Sequence, residues 1–285
     1  MDEVLFQFDD PEDVLAQGNK CSIGQWELVA SFNWFDEEGD IDNPGRNLDV
    51  CQTTPKIIVP GVPPIYDAHS RPGQLERDKN QYCDENGFRQ PEYPLDSVFV
   101  ASAAAGKNPL QEADFITDRN NLRKMLQWLR GDRDEPFLIR VDAVKYAEED
   151  DNVCILLTRS ELQPPVRKQD SQFGGGGFGH SFEHAVTTLL HDDEKITSFR
   201  RIVKVPIGDL SILCRSEVDA VEMNIRKTDV DVSDLSFATR EGTESKIEVC
   251  AKGVSITDHQ HEVIEMKTKR ADKSYEFDWT STYFQ

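Results

Sequence analysis

No stretch of this 285-residue chain approaches the roughly 18 consecutive apolar residues that a membrane span needs. Its start, Met1-Asp2-Glu3, is acidic where a secretory leader is basic, so a secreted or membrane-spanning protein is not expected. The six cysteines (Cys21, Cys51, Cys83, Cys154, Cys214 and Cys250) are at least 30 residues apart. Without a Cys-x-x-Cys pair there is no zinc knuckle or thioredoxin-like motif, and separated thiols fit a reducing compartment, nuclear or cytosolic. Positive charge is also scarce: 32 basic against 53 acidic residues leave a net charge of −21. That balance excludes a broad basic clamp on duplex nucleic acid. No internal repeat and no Walker lysine is present.

The chain does contain the material of a core, since 38% of its residues are apolar and 9% aromatic. Its acid is uneven: residues 1–50 hold 13 acidic and two basic side chains. Residues 1–24 read as an acidic N-terminal segment, and 36–54 as an exposed loop. Strands are expected over Gln25–Phe35, Ile57–Val59, Phe137–Val144, Val153–Thr158, Ser198–Val205, Asp209–Val221, Ile247–Ser255 and Glu262–Thr268. Helices are expected over Leu95–Ala105, Thr117–Leu129 and Phe182–Leu190. In the second, Thr117 or Asp118 is the cap, and Leu122, Met125, Leu126 and Leu129 form the apolar stripe. Residues 160–177 and 226–245 read as loops. The pattern is α+β, with mixed, largely antiparallel sheets and flanking helices.

Two strands carry paired charges. In LSILCRSEVDAVE, Glu217 and Asp219 are two apart, which on a strand puts them on one face. In HEVIEMKTKR, Glu265 and Lys267 share a face and Met266 opposes them. Acids beside Ile212, Leu213, Val263 and Ile264 are costly to bury unless paired or bound to metal. Converging carboxylates suit hard divalent cations, Mg²⁺ or Mn²⁺, and such a site suits phosphodiester hydrolysis. An exposed ladder of cross-strand charges would give the same spacing.

Flanking motifs add an order. DFITDRNNLRKML with Arg119, GHSFE with Gly179 and Glu183, EVD with Glu217 and Asp219, and EMKT with Glu265 and Lys267 follow one another. Upstream lie ELVASFNWF, KIIVPGVPPIY and FRQPEYPLD. In these the chain resembles a fungal branch of the DXO-like decapping and 5′-exoribonuclease family, whose fold has a PD-(D/E)xK-type nuclease core. The resemblance covers roughly residues 25–285, taken as a single nuclease domain that is short at its C-terminus.

It implies that Glu183, Asp219 and Glu265 ligate a divalent metal (Mg or Mn), with Glu217 acting largely through a metal-bound water. Glu217, Asp219, Glu265 and Lys267 would form the catalytic set, Lys267 orienting the nucleophile. Arg119 would hold the 5′-end phosphate or nucleotide, beside Glu183. The family has a further glutamine motif on a helix beyond the E-x-K strand, for which Gln285 would stand in without that helix. The implied substrate is an RNA 5′ end, from which an incomplete or non-standard cap or a terminal nucleotide is removed. A protein partner is allowed for; a membrane and a DNA duplex are not expected. The nucleus is favoured over the cytoplasm by the resemblance alone. The alternative is a catalytically inactive homologue that binds nucleotide, RNA or a protein.

Three other motifs compete for these residues. His180-Ser-Phe-Glu-His184 matches the inverted zinc-protease motif, which needs both histidines on a helix, whereas the preceding GFG predicts a turn at 180–181. GGGGFG satisfies G-x-G-x-x-G (Gly174, Gly176, Gly179), but no strand precedes it, and a mobile loop at the site entrance fits better. DHQHE at 258–262 reads as a surface turn.

Overall fold

The computed structural model describes residues 22–35, 54–77, 86, 89–90, 92–131, 137–147, 152–160, 177–189, 195–222, 235–239, 245–251 and 263–268. These form two sheets and four helices, the expected α+β arrangement. The larger sheet has nine strands in the order β11-β12-β2-β1-β8-β9-β4-β6-β5. Its centre is β1 (Glu27–Phe35), β8 (Ile196–Ile207) and β9 (Leu210–Glu217), paired antiparallel. On one side lie β2 (Lys56–Ile58), β12 (Glu248–Cys250) and β11 (Ala238–Thr239). On the other lie β4 (Phe115–Asp118), parallel to both neighbours, then β6 (Val153–Ser160) and β5 (Leu138–Lys145). The expected hairpin over residues 137–158 is the antiparallel β5–β6 pair.

β1 is a strand because its β-branched and aromatic residues fit a pleated surface, and six consecutive positions, Val29 to Trp34, are buried. Phe32 and Trp34 meet edge to face at 5.5 Å. They join Ile57, Ile116, Ile202 and Leu213 in the main core, covered by helix α1 (Asp96–Ala104) through Val98 and Ala101. The proline-rich turn after β2 packs so tightly on β1 that a Cβ on Gly61 would lie 2.5 Å from the Phe32 carbonyl carbon. Cys154, Cys214 and Cys250 are buried free thiols. Burial pushes Cys154 up to about 11 and Cys214 up to about 12, so neither is a nucleophile.

A short helix α2 (Pro109–Glu112) precedes β4, and α3 (Arg119–Leu129) follows it. Thr117 thus belongs to a strand, and Asp118 stands at the cap position without a side-chain bond to the helix. Of the apolar stripe, Leu122, Met125 and Leu129 are half-buried and Leu126 is exposed, while the fully buried positions of α3 are Asn121 and Lys124. Hydrogen bonding decides its rotation. The Asn121 Nδ2 donates to the Leu157 carbonyl on β6 and to the Thr117 hydroxyl, which pins the polar face to the sheet.

The smaller sheet runs β13 (Val263–Ile264), β10 (Ala220–Val221), β3 (Ile65–Tyr66) and β7 (Thr187–Thr188). Helix α4 (Gly179–Val186) feeds directly into β7. The helix therefore starts before Phe182 and ends well before Leu190, because Thr187 and Thr188 pair with β3 instead. Likewise Asp209–Val221 is not one strand. β9 ends at Glu217, and the chain crosses into the smaller sheet as β10. Among the described residues no helix is long and apolar enough to cross a membrane.

Candidate functional site

The crossing point between the sheets is where the acids gather. Val218 stays with the large sheet, its N–H donating to the Phe199 carbonyl and its side chain buried against Phe199 and Val221. Asp219 then turns towards the small sheet. Ala220 pairs with Ile264 antiparallel, so one further step of that register sets Asp219 beside Glu265. The Met266 N–H donates to Asp219 Oδ2 at 2.6 Å. Beneath them Val186, Ala220 and Met266 form an apolar cluster joined by Phe182, Tyr66 and Ile264. That cluster seats α4 on the small sheet and brings Glu183, next to Phe182, towards Asp219.

Electrostatics register the meeting. Asp219 is pushed up to about 6, first by burial and then by Glu265 and Glu183, against the lowering effect of the Met266 N–H and of Lys267. Burial also acts to raise Glu265, but Arg119 and Lys267 outweigh it and hold the carboxyl below its ordinary value. Arg119 Nη1 is 3.0 Å from Glu265 Oε2, and Lys267 Nζ is 2.5 Å from Oε1. Five of the expected residues, Arg119, Glu183, Asp219, Glu265 and Lys267, are thus brought to one place from α3, α4 and the ends of the β10–β13 pair, Glu265 and Lys267 lying beyond the strand, which stops at Ile264.

Glu217 is placed differently. The strand break at Val218 removes the simple alternation that was to put it on the Asp219 face. Its Oε2 accepts from Arg200 Nη1 at 2.7 Å, where Arg200 sits opposite it on β8. Glu217 is not among the groups that act on Asp219. Gln285, Gly174 to Gly176 of the GGGG loop, and DHQHE lie outside the described residues. His180 lies in the first turn of α4, not in a preceding turn, and its Nδ1 is 3.6 Å from Glu183 Oε2.

The donor set is chemically suited to Mg²⁺ or Mn²⁺, being all carboxylate oxygen. Crowded acids that raise one another's proton affinity are what a divalent charge would offset. The fit is one of chemistry more than of position: among the described residues no three His, Cys, Asp or Glu side chains are arranged to hold a metal ion. In the same arrangement Glu265 is neutralised by two side-chain cations.

The support behind Arg119 was not anticipated from sequence. Arg215, 1% exposed, forks onto Asp118 with Nε and Nη2 at 2.7 and 2.9 Å. Its Nη1 donates to the Pro94 carbonyl and the Ser97 hydroxyl. A bidentate pair fixes direction as well as distance, so Asp118, and with it the start of α3, is clamped to β9 and α1. The only sequence signal is an arginine in an apolar strand, ILCRS, which needs a partner if it points inward.

Comparison with known proteins places the chain. The model of the family described as "Domain of unknown function (DUF8563)" matches residues 17–278, and the chain belongs to that family. No curated protein matches it. Solved structures of Rai1 from several fungi are similar to the chain at low identity. The S. pombe Rai1 structure is 13% identical over 71% of this chain and 55% of that one, with a TM-score of 0.42. Candida albicans Rai1 in complex with pU5–Mn²⁺ is 12% identical, covering 74% and 57% (TM-score 0.37). Scheffersomyces stipitis Rai1 in complex with (3′-NADP)⁺ and calcium ion is 12% identical, covering 75% and 60% (TM-score 0.37). The match spans little more than half the length of those proteins.

Proposed function

We propose that this DUF8563 protein is a Mg²⁺- or Mn²⁺-dependent nuclease acting at RNA 5′ ends. It would hydrolyse a phosphodiester to remove an incomplete or non-standard cap, a terminal nucleotide, or both. One observation carries the reading: four motifs far apart in sequence supply Arg119, Glu183, Asp219, Glu265 and Lys267 to a single half-buried spot where acids crowd.

Glu183, Asp219 and Glu265 would hold the cation, which supplies charge stabilisation to the attacking and leaving oxygens. The protein's own residues divide the remaining work. Arg119 offers a planar fork suited to a terminal phosphate, and Lys267 offers a mobile point charge to orient water. Both now neutralise Glu265, so each would leave that carboxylate, Arg119 for substrate phosphate and Lys267 for water, once Glu265 has another counter-charge. Glu217, held by Arg200, would act at the margin of the site. The nuclease domain would comprise residues 25–285, with Gln285 at its substrate end, and the compartment would be nuclear or cytoplasmic. The acid-rich surface suits a short 5′ end threaded into a pocket better than an extended duplex.

The test incubates the protein with 5′-phosphorylated and with capped RNA in the presence of Mn²⁺. Mono- or dinucleotide release is expected, and its loss in Asp219→Ala and Glu265→Ala. No product, or equal product from the double variant, sinks the reading.

A second reading is a catalytically inactive homologue that binds nucleotide, RNA or a protein. It is favoured by the Arg119–Glu265–Lys267 and Arg200–Glu217 pairs, which satisfy Glu265 and Glu217 without metal. Calorimetry separates the two: stoichiometric Mn²⁺ binding that Asp219→Ala abolishes supports the enzyme, and absence of binding supports the homologue.

A further inference from the structure

Strand β5 ends the large sheet, and no described strand pairs with its outer side. An eight-residue edge strand offers a row of backbone donors and acceptors to another chain. Natural sheets blunt such edges with charge, and β5 does carry Arg140, Asp142 and Lys145. Yet apolar side chains of the strand are exposed as well: Val141 is 54% exposed and Leu138 39%, with Tyr146 and Val153 close by in the hairpin and also exposed. Arg140 and Asp142 share a face, their side chains half exposed and 2.8 Å apart at Nε and Oδ2.

We propose that β5 pairs antiparallel with β5 of a second copy of this chain, on a two-fold axis through Val141. The register follows from elementary geometry. In an antiparallel pair, opposed residues point their backbone groups the same way, so a symmetric pairing must centre on a residue and not between two. Centring on Arg140 opposes two arginines, and centring on Asp142 opposes two aspartates; like charges directly opposite are unfavourable. Centring on Val141 sets Arg140 against Asp142 of the second copy twice over. It also stacks Val141 on its own image and sets Leu138 against Val144, Ile139 against Ala143. The charges that protect this edge against other strands are thus complementary to their own image, a device that selects one partner. The net charge of −21 opposes association at long range and keeps the dimer weak at low salt. The inference is independent of the nuclease reading, since β5 lies at the edge of the sheet and contributes no residue to the acidic site.

Sedimentation velocity on the full chain at about 0.15 M salt, where the Debye length is about 8 Å, tests it. A monomer–dimer equilibrium is expected. Arg140→Asp and Asp142→Arg should each weaken it about tenfold, because two attractive pairs become repulsive. An equimolar mixture of the two variants should restore the dimer, since each then meets the opposite charge. Val141→Lys, which sets two lysines face to face, should also dissociate it, and gives a second route if a reversal variant fails to fold. Thermal melts matching wild type show that the loss is one of association. A monomer at every concentration overturns the proposal, as does a dimer unchanged in all three variants. Loss in the single variants without rescue by mixing overturns the register.

Discussion

Two charged knots lie one residue apart in the chain and have opposite characters. Asp118 turns into the fold, where buried Arg215 grips both its oxygens and spends its remaining donor on Pro94 and Ser97. Arg119 turns the other way, to Glu265 beside Asp219, Glu183 and Lys267. The first knot is balanced: every charge has a partner and none is left over. In the second, three carboxylates share two cations, and burial first, then the neighbouring Glu265 and Glu183, raise the proton affinity of Asp219. A balanced buried knot orders a scaffold, and an unbalanced half-buried one is poised to take up charge.

The largest effect should come from breaking the balanced knot. Arg215→Met leaves Asp118, whose side chain is 18% exposed, without its counter-ion and should cost about 3 kcal/mol in urea unfolding, the low end for a buried pair. Asp219→Asn keeps an acceptor for the Met266 N–H while relieving like-charge repulsion. It should leave stability within ~1 kcal/mol of wild type, or raise it. Equal losses in the two variants would erase the distinction.

The second effect turns on the surplus itself. A cation that binds the native protein and not the unfolded chain stabilises by mass action, so Mn²⁺ at about a hundred times its Kd should raise the melting temperature by about 5 °C. Glu183→Gln and Asp219→Asn should abolish the shift, whereas Ser97→Ala, which trims only the Arg215 knot, should keep it. A shift that survives both acid substitutions would move the cation elsewhere.

How far these knots were legible in the sequence depends on the range of the contact that makes them. Local patterns sufficed for β1, the β5–β6 hairpin, β8 and α1, whose own residues carry the period or the turn. The ordered motifs sufficed to name the five residues of the acidic cluster. What local pattern hid is set by long-range pairing. β4 is a four-residue strand made by parallel neighbours about 40 and 97 positions away, at Leu157 and Cys214, and FITD alone reads as a helix approach. The Glu217–Asp219 alternation looks the same whether the strand continues or, as here, changes sheets at Val218. The α3 stripe predicted the helix but not its most buried positions, because Asn121 finds its carbonyl on β6, a partner that no window on the helix contains. Arg215 was passed over for the same reason.

The third effect is a pH dependence confined to one knot. Asp219 has its folded value near 6 against an ordinary 3.8, so between about pH 4 and 6 the native protein holds a proton that the unfolded chain has released. Stability in metal-free buffer therefore falls, through this group, as pH rises across that window. Chemical denaturation at several pH values should show the slope, and Asp219→Asn should flatten it. Saturating Mn²⁺ should oppose it, since the deprotonated carboxylate is the form that binds metal.

The smallest effect on stability is the most telling about role. Arg119→Lys keeps a positive charge near Glu265, and a half-exposed ion pair is worth less than about 1 kcal/mol, so unfolding should hardly move. A lysine, however, has no planar fork to grip two phosphate oxygens together. If Arg119 serves a 5′ phosphate, affinity for a 5′-phosphorylated oligonucleotide should fall about tenfold by fluorescence anisotropy, with little change for the 5′-hydroxyl version. If Arg119 only braces Glu265, both oligonucleotides should bind the variant as they bind wild type. That contrast separates the two neighbours directly: Asp118 would matter to folding and not to the ligand, and Arg119 to the ligand and not to folding.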